Sequence, residues 1–554
     1  MSTQPRLCRE IVLEHFGPIV EQVAQVLLTK GRLTLSGIVQ FTQMPVRTVR
    51  EALVVMIQHN ICFYAEAREG LRQVCFYSIG QDEILLRLRI GRIIYWSGEW
   101  FGKEASTITH LMLLNGRLTL KDLKQWVKDN ESSPQQKIVA YEQKFSQLAS
   151  KRFITAVMPE DSKARIDRKL EAEAIAVNEL LLGPSTREKA EIEFKVQQQL
   201  DDEDQSRQMI GMKRKVTETM DDDDEVSASK RFALTVEMEV EDDVFFRINY
   251  KQFTKYFRNE AVIDQATDII NRGAGQVLRL FLEQSDSFTG GIGKEESQPT
   301  SALHVASVLP HDMFTETGLD SREDSVHNER PTAADIVTEY FELLRQSPAK
   351  FIKRADNKGH NFFVVDFKSI RLYMMRKLFD KLMKSRFGNS TCRIARILIE
   401  KGKLEEKQAR AFDIMNAHGL QAVQKMAMLP AKDTREKLAL LCTHGICDIQ
   451  EVPKSADRAP SRTIFLWFVS LDKCYQELLI DLYRSIANVR QRIRHELATR
   501  QRLLEKMERK DVSENQDLLS AGDKKAIEEL NKKVERLEVS AGRLDEMVMV
   551  YRDF

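Results

Sequence analysis

A two-part motif that recurs three times constrains this chain more than any other feature of its sequence. Each copy is a Phe-Gly pair followed, fourteen residues after its glycine, by a second glycine, a basic residue and leucine. The copies are Phe16-Gly17 with Gly31-Arg32-Leu33, Phe101-Gly102 with Gly116-Arg117-Leu118, and Phe387-Gly388 with Gly402-Lys403-Leu404. Apolar residues at helical spacing fill each interval, and glycine commonly ends a helix because it tolerates the left-handed conformation. The repeat predicts a duplicated helical module.

A second block links the first and third copies of this motif. Residues 44–53 and 429–438 share a proline near their start, which predicts a helix in each because the amphipathic residues follow it. Apolar and aromatic runs after each helix predict a β-hairpin. The predicted strands lie at 61–65 and 74–79, and at 446–452 and 463–469. Helices followed by a hairpin are the order of a winged helix.

Two further modules are less regular. One continues from residue 84 with its first strand at 152–157. The other runs from 245 to 367, with a helix at 250–271, a second helix at 332–345, and strands at 351–354 and 362–365. Helical periodicity followed by short apolar runs is the basis of both predictions.

The sequence therefore predicts a mainly α fold with small β-hairpins. Four tandem extended winged-helix domains are followed by a C-terminal antiparallel coiled-coil hairpin. The predicted boundaries are 1–80 and 81–160 for the first two domains, 161–240 for a charged linker, 241–368 for the third domain with a flexible insertion near 285–329, 369–472 for the fourth, and 473–554 for the hairpin.

Heptads identify the C-terminal hairpin. Apolar residues alternate spacings of three and four over 482–493 and again over 527–551. Polar residues and a glycine at 511–522 lie between the two runs and predict a reversal of the chain. A single long helix that forms an intermolecular coil is the alternative interpretation.

The linker is polar and almost free of aromatic residues over 197–230, so it is predicted to be disordered. It contains two basic clusters with an acidic tract between them, and such clusters are typical of nuclear-import signals. The import candidates are Lys213, Arg214, Lys215, Lys230 and Arg231. A solvated linker with incidental charge is the alternative.

Composition excludes several classes of function. Lys and Arg total 84 against 83 Asp and Glu, so any nucleic-acid contact must be local. The seven cysteines form no CxxC pair, and no secretory signal or long apolar run is found, which favours an intracellular protein. No nucleophile with a paired base and no phosphate-binding glycine loop is found, so neither catalysis nor a cofactor is expected. Cys442, His444 and Cys447 lack a fourth zinc ligand, which favours structural packing.

Candidate DNA contacts lie on the third helices and on the wings. Arg47 and Arg50, and likewise Lys432 and Arg435, occupy the helix that enters a major groove in DNA-reading winged helices, although neighbouring glutamates favour a protein-facing or solvated role. Wing cations could touch phosphates without reading sequence. The wing candidates are Lys350, Lys353, Arg354 and Lys358 in the third domain, and Lys454, Arg458 and Arg462 in the fourth. Arg458 and Arg462 could equally bind carboxylates of a partner.

Two C-terminal segments carry a resemblance to a known family. Residues 456–463 read Ala-Asp-Arg-Ala-Pro-Ser-Arg-Thr before Phe-Leu-Trp at 465–467, and residues 544–553 read Leu-Asp-Glu-Met-Val-Met-Val-Tyr-Arg-Asp. With the order of modules, these segments resemble the large winged-helix subunit of the initiation heterotrimer specific to RNA polymerase III, which is similar to the alpha subunit of transcription factor IIE. The resemblance covers nearly the whole chain outside the two insertions.

This resemblance implies a non-catalytic subunit of the nuclear, DNA-directed RNA polymerase III that docks on the polymerase clamp. The implied partners are the polymerase core, the two smaller heterotrimer subunits, transcription factor IIIB, and DNA bound weakly and without sequence specificity. The implied role is to stabilise promoter opening, as at tRNA genes. No membrane partner is expected.

Two other functions are compatible with tandem winged helices. One is a protein–protein scaffold of another complex that makes no DNA contact. The other is a sequence-specific repressor, which the balanced charge and the glutamates on the third helices disfavour.

Overall fold

In the computed structural model the chain divides into two compact units, Met1–Phe253 with Ala487–Gly542, and Thr254–Ile486 with Arg543–Phe554. The structure describes residues 3–69, 72–130, 134–178, 185–206, 210–215, 237–285, 295–309, 332–355, 362–405, 423–453, 463–509, 512 and 519–554. The predicted mainly α fold with small antiparallel sheets is confirmed.

The first unit opens with three helices and a three-stranded sheet. The elements are α1 (Thr3–Lys30), β1 (Leu33–Thr34), α2 (Leu35–Thr42), α3 (Val46–Gln58), β2 (Cys62–Glu69) and β3 (Arg72–Ile79). The strands are antiparallel in the order β1-β3-β2. Thr34 begins α2 because its side-chain oxygen accepts a hydrogen bond from the Gly37 amide. The apolar face of α3 is buried through Val49, Leu53 and Met56.

By length and composition, α1 could cross a membrane. Buried core helices pass the same test, and α1 buries Leu7, Ile11, Val23 and Leu27 within its unit. The helix is also broken at Gly17, where the backbone is not helical. We therefore interpret α1 as two core helices joined at a kink.

A second set of helices in this unit precedes the short strand β4. The elements are α4 (Gln81–Leu86), α5 (Ile90–Phe101), α6 (Lys103–Asn115), α7 (Leu120–Asn130), α8 (Pro134–Ser150) and β4 (Ile154–Ala156). Strand β4 lies within the predicted first strand at 152–157. Arg152, with a φ of 66°, turns the chain from α8 into this strand.

The insertion after β4 is structured over much of its length. Its elements are α9 (Arg165–Asn178), α10 (Thr186–Ser206), β5 (Met212–Lys215) and β6 (Glu237–Val240). The prediction of disorder over 197–230 is therefore wrong for 197–206 and 212–215. Helix α10 buries Val196 and Leu200, and β5 gains an antiparallel partner in β6, which local composition does not reveal. Residues 216–230 lie outside the described residues.

The strand that pairs with β4 comes from beyond this insertion. Strand β7 (Phe246–Ile248) is antiparallel to β4, and Phe246 also bridges to Leu118. The sequence-based boundary assigned these residues to the third domain, which is wrong because strand pairing is not limited to neighbours in sequence. Phe246 is fully buried and its ring packs edge-on against Phe145, 5.4 Å between centroids.

The second unit contains a sheet with the same strand order. Its elements are α11 (Tyr250–Ile269), whose first four residues belong to the first unit, α12 (Arg272–Ser285), β8 (Thr300–Ser301), α13 (Ala302–Ser307), α14 (Ala333–Gln346), β9 (Ile352–Arg354) and β10 (Phe362–Val365), with the strand order β8-β10-β9. Residues 295–309 were predicted to belong to a flexible insertion, which is wrong. They supply the first strand of the sheet and a helix that buries Ala302 and Val305. Residues 310–329 lie outside the described residues.

The remaining sheet of this unit repeats the pattern. The elements are α15 (Phe367–Lys401), β11 (Leu404–Glu405), α16 (Val423–Ala427), α17 (Ala431–Thr443), β12 (Asp448–Pro453) and β13 (Thr463–Phe468), with the order β11-β13-β12. In the described part of the chain, three three-stranded sheets thus share one order, in which the last strand lies between the other two.

The last helices are α18 (Leu471–Thr499), α19 (Gln501–Met507) and α20 (Ala521–Val548), followed by a π-helical turn at Met549–Asp553. Within the first unit, ion pairs join Arg490 to Glu538, Glu496 to Lys533 and Lys506 to Asp523. As the residue number rises from Arg490 to Glu496 and Lys506, the number of its partner in α20 falls from Glu538 to Lys533 and Asp523. The segments of α18 and α19 in this unit therefore run antiparallel to α20.

The three Phe-Gly glycines share one unusual backbone conformation. Gly17 has φ 82° and ψ −179°, Gly102 has φ 100° and ψ 172°, and Gly388 has φ 82° and ψ 171°. This region is essentially restricted to glycine because a side chain would be strained there. The repeated spacing of the motif therefore reflects a repeated joint between two helical segments.

Replacing this joint should destabilise the chain through its backbone. No atom lies within 4 Å of a Cβ built at Gly388, so Gly388→Ala isolates conformational strain, expected to be about 1–3 kcal/mol. Gly542→Ala is the control, since Gly542 lies within α20 without a positive φ and with equal space. That change should be neutral or stabilising by about 0.5–1 kcal/mol. Urea unfolding measures both, and equal effects would contradict the assignment.

Candidate nucleic-acid and protein interface

Helix α3 presents a mixed surface to solvent. Arg47 and Arg50 are exposed, and the Arg47 Nε donates to the Glu51 carboxylate at 2.9 Å. Such an exposed pair four residues apart contributes only about 0.3–0.5 kcal/mol, so it does not hold Arg47 away from a ligand. Val46 and Val54 on the same helix are 44% and 61% exposed. Exposed apolar residues beside paired charges suit a protein partner at least as well as phosphates.

The equivalent helix α17 is similar in charge. Lys432, Arg435 and Glu436 are all exposed, while Leu438 and Leu441 are buried. Helices α3 and α17 thus each bury an apolar face within their own module and expose a face of mixed charge.

The third-module wing candidates lie beside carboxylates of their own module. Lys353 donates to Glu296 at 2.6 Å and lies 4.0 Å from Asp366. Arg354 donates to Glu342 at 3.0 Å. Arg345 and then Arg354 lower the pKa of the Glu342 carboxyl, so it stays charged beside them.

Lys350 has a structural role in the same wing. It is exposed and has a φ of 49°, and it precedes the buried Phe351, the residue before β9. Lys358 lies outside the described residues. The structure therefore places Lys353 and Arg354 on β9 and Lys350 just before it, but two of these three cations already have partners.

The fourth wing carries the remaining candidates. Strands β12 and β13 pair from Asp448 with Phe468 to Pro453 with Thr463. Lys454, Arg458 and Arg462 fall between these strands in the sequence and lie outside the described residues.

Part of the basic cluster predicted as an import signal forms a strand. Lys213, Arg214 and Lys215 lie in β5, and the register places Lys213 opposite Glu239 and Lys215 opposite Glu237. The Lys213 Nζ also lies 3.1 Å from a Glu241 carboxylate oxygen. Lys230 and Arg231 lie outside the described residues.

In the Cys442, His444 and Cys447 trio, Cys447 is buried and His444 packs on an aromatic ring. Burial raises the pKa of the Cys447 thiol to about 12, so it remains protonated. The His444 ring packs on Phe387 with 5.0 Å between centroids. Over the described residues, no group of three or more His, Cys, Asp or Glu side chains is arranged to hold a metal ion.

The Phe-Gly aromatic packs against the residue that follows a third helix. Phe16 meets His59 at 4.8 Å between ring centroids, and Phe387 meets His444 in the same way. Phe101 meets Lys151, the residue after α8, with the Lys151 Nζ 5.1 Å from its ring centroid. Burial, and then the charge of Arg87, lowers the pKa of His59 to about 4, so this ring is neutral near pH 7. The sequence carries a signal for this contact, because His59 and His444 each lie six residues after the end of their shared block and are followed by Asn60-Ile61-Cys62 and Gly445-Ile446-Cys447.

Residues 115–117, which include the second glycine of the middle copy of the motif, pack against the C-terminal end of α3. Arg117 donates to the Ile57 carbonyl at 3.4 Å, and the Gln58 amide donates to the Asn115 carbonyl at 2.6 Å. A Cβ at Gly116 would lie 2.8 Å from the Gln58 carbonyl oxygen, so this close approach requires glycine. The carbonyl end of α3 is thereby covered, while its exposed side remains available.

A polar cluster that sequence reasoning missed joins the first half of α1 to α18 within the first unit. One Arg490 nitrogen donates to Glu14 and to Glu538, 2.9 Å in each case. Arg494 pairs with Glu10 at 2.6 Å, and Gln491 donates to the same residue at 2.9 Å. Glu10 is buried, so these donors compensate its charge. The partners lie almost five hundred residues apart, which no local pattern reveals.

Removing Arg490 should destabilise the first unit. Arg490→Ala leaves Glu14 and Glu538 without their shared cation, at a cost of about 1–3 kcal/mol. The exposed Arg47→Ala is the control and should change the stability by less than about 0.5 kcal/mol. Urea unfolding of both variants gives the comparison, and similar losses would show that the cluster contributes nothing.

The loss should also depend on pH. Burial already raises the pKa of Glu14 while Arg490 lowers it, so removing Arg490 raises the pKa further. When the pKa of a carboxyl is raised in the folded state, the free energy of unfolding of the protein falls as the pH rises through that pKa. The deficit of Arg490→Ala should therefore be larger at pH 7 than at pH 4. A deficit that is constant or larger at pH 4 would contradict this assignment.

Comparison with known proteins gives concordant similarities along the chain. Residues 6–67 match the RNA polymerase III subunit RPC82 helix-turn-helix domain, residues 143–374 match the RNA polymerase III subunit RPC82 family, and residues 379–469 match the POLR3C C-terminal winged-helix domain. The chain is similar to DNA-directed RNA polymerase III subunit RPC3 of Danio rerio, with 26% identity over 100% of this chain and 98% of the relative. The corresponding subunit of Homo sapiens is 23% identical over 99% of this chain and 97% of the relative.

Proposed function

Because the chain belongs to the RPC82/RPC3 family of RNA polymerase III subunits, we propose that it acts in transcription initiation. It is an accessory subunit of the polymerase, not a catalytic one. In this proposal it docks on the polymerase clamp with the two smaller heterotrimer subunits, contacts transcription factor IIIB, and stabilises open promoter DNA, as at tRNA genes.

The exposed face of α3 is the observation that carries the docking proposal. Val46 and Val54 are apolar and solvent-exposed on a helix whose other face and carbonyl end are both covered. The same face carries Arg47, Arg50 and Glu51, so one positive charge remains in excess there, which is little for DNA. A protein surface that buries the two valines and exchanges the ion pair is the occupant that this face favours.

A scaffold without DNA contact is the second candidate function. Lys353 and Arg354 already have carboxylate partners within their own module, and this observation favours it. Surface ion pairs are weak, however, and phosphates could replace those carboxylates. The proposal therefore retains DNA contact that is weak and sequence-independent.

We propose that the chain acts in the nucleus, where RNA polymerase III transcribes. The cluster at 213–215 is the candidate import signal, with Lys230 and Arg231 as its second part. Import receptors would have to compete with the β5–β6 pairing for the first part. Strands β5 and β6 pair over only four residues each, and such short two-stranded pairing is only marginally stable, so this competition is feasible.

The docking proposal predicts a loss of polymerase on changing α3. Val46→Asp with Val54→Asp should reduce recovery of polymerase subunits with the tagged full chain at least ten-fold, because two carboxylates would be buried at the interface. The matched control is Val139→Asp with Val539→Asp, two valines that are equally exposed elsewhere. Quantitative mass spectrometry of the purified assemblies measures recovery. Equal recovery of both variants would exclude this face.

The DNA proposal predicts a change in salt dependence. Lys353→Ala with Arg354→Ala should lower the slope of log affinity against log salt by about one to two for duplex DNA, because each lost phosphate contact lowers it by about 0.9. Binding of the full chain to labelled duplexes of two unrelated sequences gives the slope. Unchanged slopes, or affinities that differ between the sequences, would contradict the assignment.

A further inference from the structure

Helix α15 carries a large excess of positive charge, although the chain as a whole is nearly neutral. Its 35 residues, Phe367–Lys401, carry ten lysines and arginines against two acidic residues, Asp380 and Glu400. The whole chain has a formal net charge of +1. A local excess of this kind is the electrostatic signature of a surface that meets a polyanion.

Most cations of α15 are already engaged within the second unit. Lys368 donates to Glu295 at 3.0 Å and Arg386 to Asp481 at 2.7 Å, while Arg376 and Arg396 both lie at Asp380. The remaining two engaged arginines, Arg371 and Arg393, donate to the backbone carbonyls of Tyr551 and Ala427. Four of these six side chains tie α15 to other segments, and Arg376 and Arg396 pair with Asp380 of α15 itself. All six therefore leave little for an external ligand.

Lys377, Lys381 and Lys384 differ from those six. All three are exposed. Lys377 donates to the Gln265 side-chain oxygen at 2.9 Å, a neutral partner. Among the residues that the structure describes, no carboxylate lies within ion-pair distance of Lys381 or Lys384. The charge of this group, the lysine stripe, is therefore uncompensated by described residues.

Helical geometry puts the lysine stripe on one face. The spacings of four and three residues keep the three side chains within about 60° around the helix axis and spread them over about 10 Å along it. The opposite face is buried through Met375, Phe379 and Met383. Packing thus fixes the orientation of the helix and directs the stripe to solvent.

We propose that the lysine stripe of Lys377, Lys381 and Lys384 binds backbone phosphates of nucleic acid without reading bases. Lysine is a flexible point charge, which suits phosphates at variable positions. A folded protein partner would need an apolar anchor, and Leu372, the exposed large apolar residue of this helix, lies about 140° around the axis from Lys377. The inference rests on the DNA contact of the proposed function and names the face that makes it.

The test uses the full chain with Lys377, Lys381 and Lys384 all changed to alanine. Its control changes Lys128, Lys189 and Lys195, three exposed lysines of the first unit, so both variants lose three charges. A second variant with arginine at the three stripe positions keeps the charge. Fluorescence anisotropy with labelled duplex and single-stranded DNA, at several salt concentrations, gives the salt slope of each protein.

In the alanine variant, the slope of log affinity against log salt should be smaller in magnitude by about two to three, because each lost phosphate contact lowers it by about 0.7–0.9. The control and the arginine variant should keep the wild-type slope. A wild-type slope in the alanine variant overturns the lysine stripe while leaving the proposed DNA contact intact. Absence of salt-dependent binding in the wild type overturns both.

Purification of the assemblies from cells separates the remaining explanation. If the alanine variant loses a polymerase subunit while its DNA slope is unchanged, the stripe binds an acidic protein and the nucleic-acid inference is wrong. Circular dichroism at 222 nm, with unchanged thermal unfolding, establishes that the variants are folded.

Discussion

A glycine with a positive φ angle stands between two helical segments at Gly17, Gly102 and Gly388, and the rest of each module depends on this joint. Because only glycine takes this conformation without strain, the chain turns sharply there without a loop. The aromatic residue before the glycine is then held against the residue that follows a third helix, as Phe16 is against His59. One backbone constraint thereby sets both the angle between helices and the contact that closes the helical layer.

The wing strands of each module follow its third helix. A residue with a positive φ, such as Asn60 or Arg152, leads from the third helix into the first wing strand. The last strand of each three-stranded sheet then enters between the first two, so its register depends on segments far apart in sequence. Because this pairing needs only the two ends of a wing to meet, the wing after β4 accommodates an insertion of nearly ninety residues before β7 completes the sheet.

Many charged side chains form ion pairs within their own unit. Arg490 and Arg494 compensate buried or partly buried glutamates of α1, and Lys353 and Arg354 are matched by carboxylates of their own module. A near-neutral protein can therefore present a polyanion-binding face only where its geometry separates cations from acids. Helix α15 does so, because its acids are few and Asp380 is already held by two arginines.

The sequence by itself determined the repeated module, the helices, the wing strands of the more regular copies and the mainly α class, because these follow from local periodicity and from glycine conformation. It also sufficed to identify Arg47, Arg50, Lys353 and Arg354 as candidates, since their positions within a module are local. Only the tertiary structure decided that Phe246 completes the sheet of β4, that residues 295–309 belong to a wing module, and that Glu10 meets Arg494. These depend on burial and pairing between distant segments, whose free energy exists only once the chain has folded.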